Sequence, residues 1–113
     1  MKRLFLLAAM TTFLAGCATP NEIRAKGPDN QYHSSKDISE VSECILLGWQ
    51  TKSYVAEPMK AFIQPLKNGK TVYTDDYIEI ADLTTTENGV DIKFYSQGKY
   101  HKSEMIDVIK SCI

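Results

Sequence analysis

The sequence predicts an α+β fold: a small two-layer domain, with an antiparallel sheet of three to four strands and an N-terminal and a C-terminal helix on one face. Three observations predict it. Apolar residues recur at helical spacing from Ile38 to Trp49, Asn-Gly pairs at 68–69 and 88–89 punctuate extended segments, and helical spacing returns over the last eleven residues. At 113 residues, with 43% hydrophobic and 24% charged positions, the chain suffices for one core and not for two.

The first helix is expected over about Ile38 to Trp49. Asp37, with Glu40 three residues on, supplies acceptors for the free amides of a helix start. Ile38, Val41, Cys44, Ile45 and Gly48-Trp49 then form one face, with Ser39, Glu40, Ser42 and Glu43 between them. The negative charges lie near the positive end of the helix dipole.

After Pro58 the pattern becomes that of strands. Met59 to Leu66 contains Pro65, which has no amide to donate and so favours an edge or a strand end. Asn68-Gly69 tolerates the positive φ of a tight hairpin. Thr71 to Tyr73 begins the return strand, Asp75-Asp76 interrupts it, and Tyr77 to Thr86 continues extended with Ile78 and Ile80 on one face. Glu87-Asn88-Gly89 is a second turn. Val90, Ile92 and Phe94 then alternate with Asp91, Lys93 and Tyr95, the period of a half-buried strand. In the last segment Met105, Ile106, Ile109 and Cys112 or Ile113 return at helical spacing, and Ser103 is a suitable cap.

The N-terminus belongs to none of this. Met1-Lys2-Arg3 is a basic head, Leu4 to Leu14 is an uncharged run of eleven residues, and Leu14-Ala15-Gly16-Cys17 follows at once. That order is an export signal over residues 1–16, too short for a transmembrane helix of ~20 residues. Its ending resembles the lipobox of bacterial lipoprotein precursors. The resemblance implies cleavage before Cys17, diacylglycerol on its thiol and acylation of its amine, and several chains make a lasting membrane anchor. Residues 18–35, ATPNEIRAKGPDNQYHSS, surround one aliphatic residue, Ile23, with two prolines, a glycine and two asparagines. They are expected to bury too little to repay their ordering. Residues 17–35 are therefore expected as a lipidated flexible tether with a reach on the order of 20–25 Å, and residues 36–113 as the globular domain.

With Lys2 and Arg3 removed, eleven basic and fourteen acidic side chains remain, a formal charge of −3 that does not suggest nucleic acid as a partner. With Cys17 assigned to lipid, Cys44 and Cys112 remain as an even pair in an oxidising compartment and are expected to be joined. The bridge would serve as a staple for a domain under eighty residues. Two free thiols or a redox pair are the alternative, against which stands the absence of a CxxC spacing.

The remaining chemistry is sparse. His33 and His101 sit in no metal-gathering spacing, so neither metal nor cofactor is expected. Asp75, Asp76, Glu79 and Asp82 form the densest acidic segment, but Tyr77, Ile78 and Ile80 interrupt any calcium loop, and a solvated strand edge is the preferred reading. There is no GxSxG, no phosphate-cradling glycine loop and no triad pattern, so the chain is not expected to be an enzyme, with catalysis by scattered residues as the alternative. Tyr54, Tyr73, Tyr77, Tyr95 and Tyr100 are spread through the domain, and Tyr95 is expected opposite the buried face. Exposed tyrosines favour contact surfaces, although they also shield sheets. Tyr73, Tyr77, Tyr95 and Tyr100 are the candidate partner-binding residues.

From about Ser42 to Ile113 the domain resembles small envelope lipoproteins of proteobacteria and their prophages, in which a cysteine followed after four residues by tryptophan, here Cys44 and Trp49, pairs with a cysteine near the C-terminus, here Cys112. Ala18 rather than Asp after the lipidated cysteine is similar to lipoproteins forwarded to the outer membrane. The resemblance implies a membrane-anchored periplasmic accessory or binding module whose partner is an envelope or phage protein. Inhibition of a lysozyme-like enzyme or phage exclusion is the alternative within that resemblance. Tyr95-Ser96-Gln97-Gly98 departs from the serine-glycine loop of the membrane-bound lysozyme inhibitors.

Overall fold

The computed structural model describes residues 19–54, 57–98 and 101–113. The expected export signal, the lipobox-like segment with Cys17, and Tyr100 lie outside them. The fold is α+β, with a five-stranded antiparallel sheet, three helices and a disulfide between Cys44 and Cys112.

In chain order the elements are α1 (Pro20–Ala25), β1 (Asn30–Ser34), α2 (Ile38–Gln50), β2 (Ser53–Tyr54), β3 (Glu57–Pro58), β4 (Ala61–Leu66), β5 (Gly69–Thr74), a single 3-10 turn (Asp75–Tyr77), β6 (Glu79–Thr86), β7 (Gly89–Ser96) and α3 (Lys102–Cys112). β2 and β3 form a small ribbon of their own. The main sheet runs β1-β7-β6-β5-β4: a meander of four strands with β1 added beside the last of them.

α2 begins where Asp37 predicts, since the Asp37 carboxylate accepts the Ser39 amide at 2.9 Å. It lies on the inner face of the sheet with Val41, Ile45 and Trp49 fully buried. Ser42, expected among the polar positions, is buried too and returns its hydroxyl to the Ser39 carbonyl. α3 packs beside α2, and Gly48 leaves room for it: a Cβ there would run into the Val108 side chain. The disulfide ties the two helices at a Cα separation of 5.7 Å. Trp49 donates its ring N–H to the Met105 carbonyl at 3.3 Å and meets Phe94 edge-on.

The strand pattern explains the inner face. Val72, Ala81, Leu83, Val90, Ile92 and Phe94 are buried under the helices in one cluster with Met105 and Ile109. Gly89 closes the β6–β7 hairpin at φ +142, where a side chain would strike the Ser34 carbonyl.

Four expectations are corrected. The sheet has five strands, because residues 19–34 are folded rather than a tether. Thr19 caps α1 through the Glu22 amide, Pro20 opens the helix, Ile23 is buried on Ile80 and Tyr95, and β1 pairs with β7 along five residues. His33 accordingly sits in a strand, 2.7 Å from Asp91 on β7. Counting aliphatic residues missed this because the segment is held mainly by backbone hydrogen bonds and polar side chains. Asp75-Asp76 marks a reversal between paired strands, not an interruption within one, and Ile78 is exposed while Ile80 is buried. Ser103 is not the cap of α3; His101 holds that position in the left-handed region. Tyr95 is buried, because Ile23 of α1 packs with it and Ile80 on the outer face.

Candidate functional site

Strand alternation divides the candidate residues. On β6, Glu79, Ala81 and Leu83 share the inner face, while Ile80 and Asp82 share the outer one. Ile80 pairs in register with Tyr95 and with Tyr73, and Tyr73 pairs with Phe62, so these four side chains lie on one outer row.

α1 covers one end of that row. Ile23 seals Ile80 and Tyr95, and Arg24 makes a two-pronged ion pair with Asp82, Nε to Oδ2 at 2.7 Å and Nη2 to Oδ1 at 2.9 Å. That hydrogen bonding raises the Arg24 pKa still further, and burial raises that of the Tyr95 phenol. Tyr95 is therefore part of a small second core and presents no contact surface.

The other end of the row is an aromatic strip. Tyr73 stacks on Tyr77 with ring centroids 4.8 Å apart, and Phe62 lies 5.5 Å from Tyr73 on its other side. Phe62 is 44% exposed, and both tyrosines are partly exposed. Tyr77 reaches its place at a cost: it and Asp76 both have positive φ, 55° and 60°, a conformation that bulky residues rarely adopt. The surrounding hydrogen bonds hold the turn there. Thr74 Oγ1 accepts the Glu79 amide at 3.0 Å, Gln97 Nε2 donates to the Tyr77 carbonyl at 3.0 Å, the Gln97 amide donates to the Ile78 carbonyl at 2.8 Å, and the Asp75 amide donates to the Lys60 carbonyl at 3.1 Å.

Comparison with protein-family models, curated proteins and solved structures finds no match to this chain.

The same turn borders a second feature, a cavity of about 330 Å³ lined by Met59, Lys60, Thr74, Ile78, Glu79 and His101, among others. Its lining is mostly apolar, yet Glu79 is only 3% exposed, and among the described residues Oε2 has no hydrogen-bond partner. Burial pushes the Glu79 carboxyl up to about 7, against the opposing pull of Ser96 and Lys102.

The four acidic residues of the densest segment thus part company. Asp82 is paired on the outer face, Glu79 is buried on the inner one, and only Asp75 and Asp76 are exposed as a solvated edge predicts. No three His, Cys, Asp or Glu gather for a metal among the described residues. No described helix is long and apolar enough to cross a membrane. Sequence reasoning missed Phe62, Arg24 and the cavity. Phe62 was legible, since it alternates with Ile63 on a strand with an edge signal. Arg24 was not, because its partner lies 58 residues away.

Proposed function

We propose that the chain is a lipoprotein precursor cut before Cys17, held by lipid on that cysteine to the periplasmic face of the outer membrane. Its folded domain is a non-catalytic binding module that docks an envelope or phage protein on the Phe62–Tyr73–Tyr77 strip. The observation that carries the docking is the strip itself: three rings in contact on uncovered sheet, one of them kept in a left-handed backbone conformation. Aromatic side chains supply large contact area at low entropic cost, and backbone strain concentrates where a side chain must be presented. The Cys44–Cys112 bridge supports the exported location, since disulfides persist in oxidising compartments.

Because Thr19 already caps α1, only Ala18 separates a lipidated Cys17 from folded structure. In this reading the domain rests close to the membrane, and its confinement raises its effective concentration near membrane partners, so modest affinity suffices.

The test places a photo-crosslinking amino acid at Phe62 in the full exported chain, in living cells, with a matched probe at Thr84 on the same sheet. The expected result is a discrete protein adduct from position 62 and none from position 84. The adduct should weaken when Cys17→Ala releases the protein from the membrane. Equal labelling from both positions, or retention of the Cys17→Ala protein in washed membranes, would contradict the proposal.

A further inference from the structure

We propose that the cavity beside the β5–β6 turn is a ligand site for a small molecule with an apolar body and one cationic amine, which the Glu79 carboxylate holds. The site is separate from the aromatic strip and asks for a different class of partner.

Three observations carry it. The volume, about 330 Å³, lies at the lower end of small-molecule sites, and Met59 and Ile78 give it apolar walls. Glu79 is one of its lining residues; the residue is 3% exposed, and one oxygen of its carboxyl has no hydrogen-bond partner among the described residues. A buried acceptor without a donor is costly, and folded proteins rarely keep one without a use.

The third observation is the charge around that oxygen. Lys60 precedes β4 and Asp75 belongs to the turn, so the rim carries both signs. His101 stands at the start of α3, 3.9 Å from Glu104. Lys102, the next residue, is engaged with Asp29 at 3.1 Å. Among the described residues no ion pair joins Glu79 to a cation.

These facts select the ligand. A wholly apolar occupant would leave Oε2 without a donor, and an anionic one would meet a carboxylate. An ammonium N–H supplies the missing donor and the missing charge together, inside walls that strengthen the pair by excluding water. Because the carboxyl titrates near 7, the amine requires its ionised form and displaces its proton. Affinity should therefore rise with pH up to about 7 and level off above it.

The experiment titrates the oxidised full chain, in detergent, with 2-phenylethylamine, hexylamine and cyclohexylmethylamine, and with 2-phenylethanol and 3-phenylpropanoate as neutral and anionic counterparts. Binding is read by amide chemical shifts at Thr74, Ile78 and Gly98. The expected result is that at least one amine binds at pH 8 at least tenfold tighter than the alcohol, and weakens about tenfold on going to pH 6. Glu79→Gln should bring amine and alcohol to the same affinity while the remaining spectrum shows the fold retained. Thr74→Val, which leaves the acid in place, should retain the preference for amine if the variant at position 79 is unstable. Failure of every amine to bind at pH 8, alcohol binding as tight as amine, affinity that rises as pH falls, or amine preference surviving in Glu79→Gln would each overturn the proposal.

Discussion

On the inner face of the sheet, Val72, Ala81, Leu83, Ile92 and Phe94 lie wholly buried under α2 and α3, and a disulfide joins those two helices. On the outer face, a six-residue helix covers Ile80 and Tyr95 through one aliphatic side chain and one ion pair, while Phe62, Tyr73 and Tyr77 remain partly in water. The inner face is organised to hold the fold, with redundant apolar contact and a covalent tie. The outer face carries less than it needs to be closed, and its uncovered part holds the aromatic strip. The difference teaches that a closed core and a partly exposed aromatic surface are divided across a single sheet by the two-residue period of its strands.

The largest test of that division is the bridge. Closing a loop between residues 68 apart limits the unfolded chain by about 4 kcal/mol in the entropic model. Cys44→Ala with Cys112→Ala should lower stability by about that amount in denaturant titration. A loss below about 1 kcal/mol would mean that the inner face does not depend on its covalent tie.

Glu79 sharpens the comparison, because among the described residues it is the carboxylate buried on the inner face. Its folded pKa of about 7 stands above the ordinary 4.5, so between these values the folded state holds a proton that the unfolded state has released. Its contribution is therefore least unfavourable below about pH 4.5, and stability falls as pH rises towards 7, by up to about 3 kcal/mol. Above 7 the loss is complete. Unfolding curves over pH 4–8 should show this decline, and Glu79→Gln should flatten it. A variant with the same pH profile as the parent would assign the decline to other groups.

The outer cover should matter less. Arg24→Ala strands Asp82, whose side chain is 9% exposed, but Arg24 itself is 24% exposed and part of the cost is screened. A loss of about 2 kcal/mol is expected by thermal unfolding, together with faster amide exchange in β1 and at Tyr95. If exchange there is unchanged, α1 is not what seals the outer face.

How much of this was legible follows from the forces involved. α2 was legible because its apolar positions and its Asp37 cap both act locally, and β7 because Val90, Ile92 and Phe94 obey a strict alternation. The Cys44–Cys112 tie was legible from the even pair of cysteines left once Cys17 is assigned to lipid and from the oxidising compartment that an export signal would imply. The N-terminal segment was not. Its order comes from β1 bonding to a strand some sixty residues later, and from Asp29, whose carboxylate accepts the Ser96 amide at 2.7 Å and pairs with Lys102. No local pattern reports such contacts. Tyr95 was misplaced for the same reason: alternation set it correctly on the outer face, but only the position of Ile23 makes that part of the face interior. The strip was half legible, since Tyr73 and Tyr77 were candidates by type while their stacking depends on two residues with positive φ.

The central claim is that the uncovered aromatic strip serves contact and not folding, and it is tested most directly by Tyr73→Ala with Tyr77→Ala in the full exported chain. Both measurements are made on the same protein: stability by denaturant titration, and partner capture by the photo-crosslinker at Phe62. The account predicts a stability loss of about 2 kcal/mol at most, since both rings meet water on one side while they pack against Ile23, Ile80 and Tyr95 on the other, with loss of the adduct. A double variant that still captures the same protein, or that loses capture only because it has unfolded, would contradict it.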